Sequence, residues 1–249
     1  MTIKALVTSG CSFSNCSNYD QFQVEENKTW PIWLREKLLI PHFSEAMAGQ
    51  GNGLISRKTL HRLNALLKTY KPEEIFVGVM WTGRDRFDFF FEDPIELPTN
   101  NDGWLENPTK IVSNAPGGWV ILNPHWSHRY NAPWFKNYYN ETAGQVYTLE
   151  HIVHLQNFLK LKGINYFFTS SFSSHINHSA ASADPNCSWL YEQIDWSNWL
   201  PIESQRHWIT DNCEIPGANN FHPRNEQHEK FVDQVIVPWL KQRNILTAS

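Results

Sequence analysis

The chain has 249 residues, with 21 Lys and Arg against 25 Asp and Glu, which gives a formal net charge of −4. Hydrophobic residues make up 41% and charged residues 18% of the sequence, and this composition excludes a disordered chain. The length suits one domain with a substantial buried core, so we predict a single domain over residues 1–249. The mild acidity favours neither nucleic acid nor an anionic membrane as a partner.

The longest largely apolar stretch, residues 75–83, is far too short to span a bilayer, so we expect no membrane insertion. The apolar residues near the N-terminus are too few for a secretion signal, and we therefore expect a cytoplasmic protein. For a phage-encoded chain this expectation includes the virion and the host cytoplasm. The 4 cysteines form no CxxC pair and are interpreted as reduced thiols.

The hydrophobic pattern predicts three strands that alternate with helices. Short apolar runs rich in β-branched residues indicate buried strands, and apolar residues three and four positions apart indicate helices. Such alternation predicts an α/β fold, a three-layer α/β/α sandwich with a central parallel sheet. Two long, aromatic-rich irregular insertions are predicted at about 87–142 and 170–210. The predicted strands are 3–8, 74–82 and 164–169, and the predicted helices are 30–39, 52–70, 144–162 and 223–242.

Polar and glycine-rich segments lie beside the predicted strands. Ser12 lies in a Gly-x-Ser turn directly after the first strand, and Gly49 and Asn52 lie in a Gly-Gln-Gly-Asn segment before the second helix. Arg86 follows the central strand, and His222 precedes a proline at the start of the last helix. Because ligands of open α/β sheets bind at the carboxyl ends of the strands, we expect these residues to meet at one edge.

This order of motifs resembles the SGNH, or GDSL-like, hydrolase family, whose members have a flavodoxin-like sandwich fold. There a serine follows the first strand, a glycine of the second block supplies an oxyanion-hole amide, and an asparagine of the third block supplies another donor. A histidine in an Asp-x-x-His-Pro motif precedes the last helix. The Gly-Cys-Ser-Phe block around Ser12, the block around Gly49 and the His222-Pro223 pair are similar to these. The resemblance implies Ser12 as nucleophile, His222 as base, and the Ser12 and Gly49 amides as oxyanion donors.

Three positions depart from the family pattern. Cys11 stands where aspartate is usual, and Asn219 replaces the aspartate three residues before the histidine. An asparagine can orient an imidazole but cannot balance the charge of an imidazolium, and Asp211 is an alternative for that role. The third block has no asparagine, so Thr82 or Arg86 is the candidate for the remaining polar donor.

The chemistry of these residue types agrees with the resemblance. A serine hydroxyl becomes a strong nucleophile when a base removes its proton, and imidazole titrates near neutral pH. We therefore predict a serine esterase that hydrolyses a carboxylic ester, with an O-acetyl group on a carbohydrate as one candidate. The alternatives are an acyltransferase with the same residues and a non-catalytic glycan-binding or virion-associated module on the same fold. The sequence leaves the oligomeric state open.

Several of these residues also have a purely structural interpretation. Gly49 can be a turn glycine, Asn52 the N-cap of the second helix, and Cys11 a small buried hydrophobic residue rather than a nucleophile. Asn52 and Arg86 are the candidates for substrate binding, and the alternative for Arg86 is a surface ion pair with Asp85.

Histidines at a spacing of three occur three times in the sequence. On a helix this spacing places both imidazoles on one face, as in many metal sites. No cysteine or carboxylate stands at a matching spacing and the resembled family needs no metal, so we predict no metal and no cofactor. His228, in the last helix, is expected to be structural. The three pairs are His125/His128, His151/His154 and His175/His178.

The first irregular insertion is rich in aromatic side chains. Aromatic faces stack on sugar rings, which favours a glycan-binding cleft, whereas the same rings can also form a small extra core under a long loop. Their spacing does not separate the two interpretations. The residues concerned are Trp104, Trp119, Trp126, Trp134, Tyr138 and Tyr139.

Overall fold

A four-stranded parallel sheet in the order β2-β1-β3-β6 forms the centre of the computed structural model, and β4 and β5 pair separately as an antiparallel hairpin. The structure describes residues 3–16, 28–91, 118–124, 131–172, 176, 185–214 and 222–246. The strands are β1 (Ala5–Ser9), β2 (His42–Ser44), β3 (Ile75–Trp81), β4 (Phe87–Phe91), β5 (Gly118–Leu122) and β6 (Asn165–Ser170).

Helices connect and cover the strands. The helix predicted over 223–242 consists of two α-helical parts joined by a π-helical turn, Val232–Ile236. Short 3-10 turns occur at Pro72–Glu74 and Trp196–Asn198. The helices are α1 (Trp30–Leu38), α2 (Asn52–Leu66), α3 (Asn131–Asn137), α4 (Glu141–Lys162), α5 (Ser188–Tyr191), α6 (Gln205–Asn212), α7 (Asn225–Phe231) and α8 (Val237–Gln242).

The sheet is buried on both faces by two separate hydrophobic clusters. Side chains alternate along a strand, so Val7 and Leu6 of β1 face opposite layers. Val7 belongs to the cluster formed with α2 and α4, and Leu6 to the cluster formed with α1, α7 and α8. The predicted three-layer α/β/α sandwich with a central parallel sheet is therefore confirmed.

The two insertions predicted to be irregular contain regular structure, so that part of the prediction is wrong. The first holds β4, β5, α3 and the beginning of α4, and the second holds α5 and α6. The strand β2 is also missing from the predicted set. It has only three residues, all half-buried, and so offers neither the length nor the apolar pattern by which a strand is recognised.

One arginine holds the β4–β5 hairpin on the main domain. Arg57 of α2 forms an ion pair with Asp88 of β4, and its guanidinium lies 4.2 Å from the ring centroid of Trp119 in β5. The Asp88 carboxylate also accepts a hydrogen bond of 3.1 Å from the Leu54 amide. Burial raises the pKa of Asp88, against the opposing effects of the Arg57 charge and these hydrogen bonds.

Several of the described aromatic side chains of the first insertion form a small extra core, whereas Tyr138 is 68% exposed. Phe87 is buried, and the rings of Trp134, Tyr139 and Tyr147 pack against it. This favours the extra-core interpretation over a glycan cleft for these rings. Trp104 and Trp126 lie outside the described residues.

Among the described segments, no helix is long and apolar enough to cross a membrane. The four cysteines are thiols, and three of them are buried in the core: Cys11, Cys16 and Cys187.

Candidate active site

Ser12 lies in a tight turn directly after β1. The Ser14 amide donates a hydrogen bond of 2.9 Å to the Cys11 carbonyl oxygen, and the Ser14 hydroxyl accepts one of 2.8 Å from the Trp30 indole. Gly10 makes this turn possible. A Cβ atom at Gly10 would lie 2.5 Å from the Ser14 hydroxyl oxygen and 3.0 Å from the Met80 carbonyl oxygen, so no larger residue fits without a shift.

The Ser12 hydroxyl and the His222 imidazole meet at the end of the sheet. Ser12 Oγ and His222 Nε2 are 2.8 Å apart, although 210 positions separate the two residues in the chain. The hydroxyl donates this hydrogen bond when the imidazole carries its proton on Nδ1. Ser12 is half-buried and His222 is exposed, so both can be reached from solvent. The structure thus brings together the two side chains that the motif order predicts as nucleophile and base.

Partial burial and two guanidinium groups lower the pKa of His222. Part of the imidazole faces solvent, but partial burial beside Phe13, whose ring centroid lies 5.2 Å away, is the largest cause of the lowered pKa. The positive charges of Arg86 and Arg206 lower it further. A lower pKa keeps the imidazole neutral, and therefore able to accept the serine proton, in mildly acidic solution.

Gly49 lies in a loop that is hydrogen-bonded to the serine turn. The Met47 amide and the Gln50 side chain each donate a hydrogen bond of 3.2 Å to the Gly10 carbonyl oxygen. Gly49 has a φ of 77°, in the left-handed region that favours glycine. Its loop therefore lies at the same edge of the sheet as Ser12, and the role of the Gly49 amide as an oxyanion donor stays a prediction.

The residue that orients His222 is not identified among the described side chains. Asn219, predicted for this role, lies outside the described residues. Asp211, the predicted alternative, is on α6, where its carboxylate lies 3.7 Å from Nε2 of His207.

Asn52 and Thr82 are part of the framework, and their predicted roles in substrate binding and in the oxyanion hole stay predictions. Asn52 is fully buried, and its side-chain oxygen accepts a hydrogen bond of 2.9 Å from the Thr82 amide. Its side-chain nitrogen donates bonds of 3.0 Å to the Thr82 carbonyl and to the Thr148 hydroxyl. Asn52 therefore ties the start of α2 to the end of β3 and to α4, and the Thr82 amide is already satisfied.

Cys11 is fully buried, in agreement with its interpretation as a core residue. Burial acts to raise the pKa of its thiol. The Arg86 charge and hydrogen bonds that involve Phe13, Thr82 and Ser171 outweigh this effect, so the pKa lies below its ordinary value overall. The Arg86 charge thus lowers the pKa of both Cys11 and His222.

A cleft of about 340 Å³ opens beside the Ser12–His222 pair. Its walls are the loop 83–86 after β3, the start of α4, Phe172 after β6, and Arg206 of α6. Phe172 connects the cleft to the pair, since its ring centroid lies 5.0 Å from that of Phe13. Arg86, predicted as a substrate-binding residue, lines this cleft.

Phe172 and Arg206 were not among the predicted site residues. Phe172 comes two positions after β6 ends, so the rule that ligands bind at the carboxyl ends of parallel strands would have found it. Arg206 lies in a helix inside a segment predicted as irregular, and no motif in the sequence marks it.

The other histidines have structural surroundings where they are described. His151 packs edge-on against Tyr147, with ring centroids 4.5 Å apart, and His154 is exposed. His228 is buried, and its Nδ1 accepts a hydrogen bond of 3.0 Å from Gln205, in line with its expected structural role. No group of three or more potential metal ligands occurs within the described part of the chain. The pairs His125/His128 and His175/His178 are not within it.

The fold and the site define an α/β sandwich protein with a serine–histidine pair at one edge of its parallel sheet. Residues 17–248 match a family described as a family of unknown function (DUF6071), and the chain belongs to that family. The match includes His222 and begins after Ser12. No curated protein matches the chain.

A solved structure, that of protein YxiM from Bacillus subtilis, is similar to this chain at 14% identity and a TM-score of 0.49. The similarity covers 98% of this chain and 58% of YxiM, so this chain spans little more than half the length of that protein.

Proposed function

We propose that this protein is a serine hydrolase of the SGNH type that cleaves a carboxylic ester. The observation that carries the proposal is the distance of 2.8 Å between Ser12 Oγ and His222 Nε2. A general base must lie within hydrogen-bonding reach of the proton that it removes, and this pair meets that condition without any rearrangement.

The reaction follows from this geometry. His222 takes the hydroxyl proton as Ser12 Oγ forms a bond to the ester carbonyl carbon, and the carbonyl oxygen gains negative charge. The backbone amides of Ser12 and Gly49 are the proposed donors to that oxygen. The imidazolium then gives its proton to the departing alcohol. In the second half, water attacks the acyl-enzyme with His222 as base, which releases the acid and restores Ser12.

The carbohydrate ester considered from the sequence has lost part of its support. It depended on aromatic rings in the first insertion, and Trp134 packs against Phe87 and Phe89 while Trp119 contacts Phe90. Rings held in this way contribute to a small core. We therefore propose an esterase without assigning a sugar as the alcohol.

A fluorophosphonate probe tests the nucleophile directly. The intact protein is treated with the probe and digested, and the labelled peptide is identified by mass spectrometry. We expect labelling at Ser12, and labelling should be lost in Ser12→Ala and slowed roughly 10⁴-fold or more in His222→Ala. Ser14→Ala is the matched control, because Ser14 lies in the same turn but its hydroxyl faces the buried Trp30 indole.

Labelling at Ser14, or equal labelling of the wild type and Ser12→Ala, would contradict the proposal. Absence of labelling in folded wild-type protein would favour a non-catalytic module on the same fold. If Ser12 is labelled, product analysis with and without an added alcohol acceptor separates hydrolysis from acyl transfer.

A further inference from the structure

The cleft beside the Ser12–His222 pair has two arginines next to one aromatic ring, Phe172. The guanidinium carbons of Arg86 and Arg206 each lie 5.8 Å from the centroid of Phe172. Phe13 connects this ring to the reacting pair, because its ring centroid lies 5.0 Å from that of Phe172 and 5.2 Å from that of His222. Both arginine charges also act on His222. The wall of the cleft nearest to the pair is therefore positively charged.

Arg86 has an unused donor at this wall. Its Nη1 is buried and has no hydrogen-bond partner within the described part of the chain. A buried charged nitrogen without a partner costs free energy, so such a group calls for a ligand or another explanation. That nitrogen has almost no solvent-accessible surface, so an anion in the cleft satisfies it only when the guanidinium turns toward the cleft.

The backbone that carries Arg86 is fixed by two close glycine contacts. A Cβ atom at Gly51 would lie 2.8 Å from the Arg86 carbonyl oxygen, and one at Gly144 would lie 2.5 Å from the Arg84 carbonyl oxygen. The loop thus packs closely against the starts of α2 and α4. Such packing holds the backbone of this loop in place before a ligand arrives, which lowers the entropic cost of binding.

The acidic residues of the cleft lie at its other end. Arg84 forms an ion pair of 2.6 Å with Glu141, so its charge is already balanced. Asp85 and Glu141 both act on the Tyr139 hydroxyl, whose pKa is raised first by burial and then by Asp85. The cleft is therefore acidic near Tyr139 and basic near Phe172.

From this arrangement, and resting on the proposed esterase activity, we infer that the substrate ester carries a carboxylate or phosphate group that binds between Arg86 and Arg206. Guanidinium groups bind both anions through paired hydrogen bonds. The ring of Phe172 would hold the adjoining carbon chain between the anion and the ester. Arg86 and Arg206 thus become specificity residues, distinct from the pair that breaks the ester bond.

Matched pairs of esters test this inference and distinguish the two anions. In the carboxylate arm, mono-4-nitrophenyl glutarate is compared with 4-nitrophenyl pentanoate. In the phosphate arm, 2-acetoxyethyl phosphate is compared with its neutral dimethyl ester. We expect kcat/KM to favour the anionic ester roughly 10- to 100-fold in one arm, as for a hydrogen bond to a charged group. All assays use one ionic strength, since salt screens such charges, and pH 8, where His222 is neutral.

In Arg86→Gln and Arg206→Gln the preference for the anionic ester should fall toward unity. Arg84→Gln is the matched control, because it removes a cleft arginine whose partner is Glu141, and there the preference should persist. Equal rates for anionic and neutral esters in both arms would overturn the inference. A preference that survives in both Arg86→Gln and Arg206→Gln would overturn it as well.

A binding measurement separates this inference from the esterase proposal. Titration calorimetry with inorganic phosphate and with glutarate is performed on Ser12→Ala and on Ser12→Ala/Arg86→Gln. Anion binding that depends on Arg86, together with an absence of Ser12-dependent hydrolysis, would support the anion site and contradict the esterase proposal. Ser12-dependent hydrolysis of neutral esters, with no preference for anionic esters, would support the esterase proposal and contradict the anion site.

Discussion

At the scale of single residues, the electrostatic surroundings of His222 determine the pH range in which it can act as a base. The charged or titratable groups that act on it or respond to it are Arg86, Arg206 and His228, and the two arginines lower its pKa. His228 is itself held neutral, because burial lowers its pKa to about 3. A fixed positive charge beside an imidazole disfavours the imidazolium and leaves the neutral form as the main species.

We expect the acidic limb of the pH profile of kcat/KM to lie below pH 6.5, the ordinary value for histidine, since that profile reports the free enzyme. Arg86→Gln removes one of the two charges, so the pKa of His222 should rise and the limb should move to higher pH. Arg86→Lys keeps the charge and should leave the limb near its wild-type position. The measurement is kcat/KM for a neutral ester between pH 4.5 and 8, with circular dichroism at each pH to confirm folding.

A limb in the same place for Arg86→Gln and the wild type would show that Arg86 has no electrostatic effect on the base. A limb that moves equally in Arg86→Lys would assign the change to packing against Phe172 and not to charge.

The Ser12–His222 pairing itself was predictable from motif order. Arg86 was also predicted at this edge of the sheet, but Arg206 was not, because it comes from a helix with no motif and only the fold brings it near.

At the scale of elements, the β4–β5 hairpin shows how a polar contact attaches an insertion to the framework. Asp88 is the only polar residue in the run Phe-Asp-Phe-Phe-Phe, and its side chain is fully buried against α2. Phe89 and Phe90, in contrast, remain largely exposed. A strand that buries its aspartate and exposes two phenylalanines contradicts the usual hydrophobic pattern, which explains why the hairpin was not predicted from the sequence.

Arg57→Met should strongly destabilise the protein because it leaves the Asp88 carboxylate buried without its cation. Loss of one partner of a buried pair typically costs about 3–5 kcal/mol. Arg62→Met is the matched control on the same helix, since its partner Glu45 keeps a second cation, Lys58, at 3.7 Å, and the loss of stability should therefore be smaller. Urea denaturation of the three proteins gives the free energies of unfolding.

Equal destabilisation by Arg57→Met and Arg62→Met would show that the Asp88 contact does not hold the hairpin. The double variant Arg57→Met/Asp88→Asn adds a second check. Because it removes the buried charge, it should be more stable than Arg57→Met alone, although the Leu54 amide keeps an acceptor in either case.

At the scale of the whole molecule, the predicted part of the fold is the part with a repeating pattern. The strands β1, β3 and β6 are almost entirely buried, and their apolar runs predict a parallel sheet covered on both faces. The order of the strands and the short β2 depend on packing between distant segments. Asn52 is an example at the site, because its sequence context fits both a ligand contact and the three-way framework contact that the structure shows.

Three histidines with lowered pKa values make the stability of the whole molecule dependent on pH: His228 is buried, and His42 and His151 are half-buried. Burial lowers the pKa of His42 and of His151 to about 4, and that of His228 to about 3. In the unfolded chain each imidazole titrates near pH 6.5. Above that pH the imidazoles are neutral in both the folded and the unfolded chain, so they do not change the free energy of unfolding. Below it the unfolded chain binds protons that the folded protein does not, so the free energy of unfolding falls as the pH falls.

Each such histidine contributes a slope of up to about 1.4 kcal/mol per pH unit between pH 6.5 and its pKa in the folded protein. Glu74 and Asp195 have lowered pKa values and lose their contribution only in more acidic solution. The raised pKa of Asp88 has the opposite effect, because the folded protein binds this proton at a higher pH than the unfolded chain does. Asp88 therefore offsets part of the loss of stability that one histidine causes. The window from pH 6.5 to 5 therefore reports mainly on these three histidines.

Urea denaturation at pH 7.5, 6.5, 5.8 and 5.0 measures this dependence. We expect a constant free energy of unfolding from pH 7.5 to about 7 and a steady loss below pH 6.5. In His228→Gln the slope below pH 6.5 should be smaller by up to about 1.4 kcal/mol per pH unit, because one imidazole is gone. The same substitution at the exposed His61 is the matched control. A free energy of unfolding that stays constant down to pH 5 in the wild type would show that these histidines bind protons in the folded protein and are not held neutral by the core.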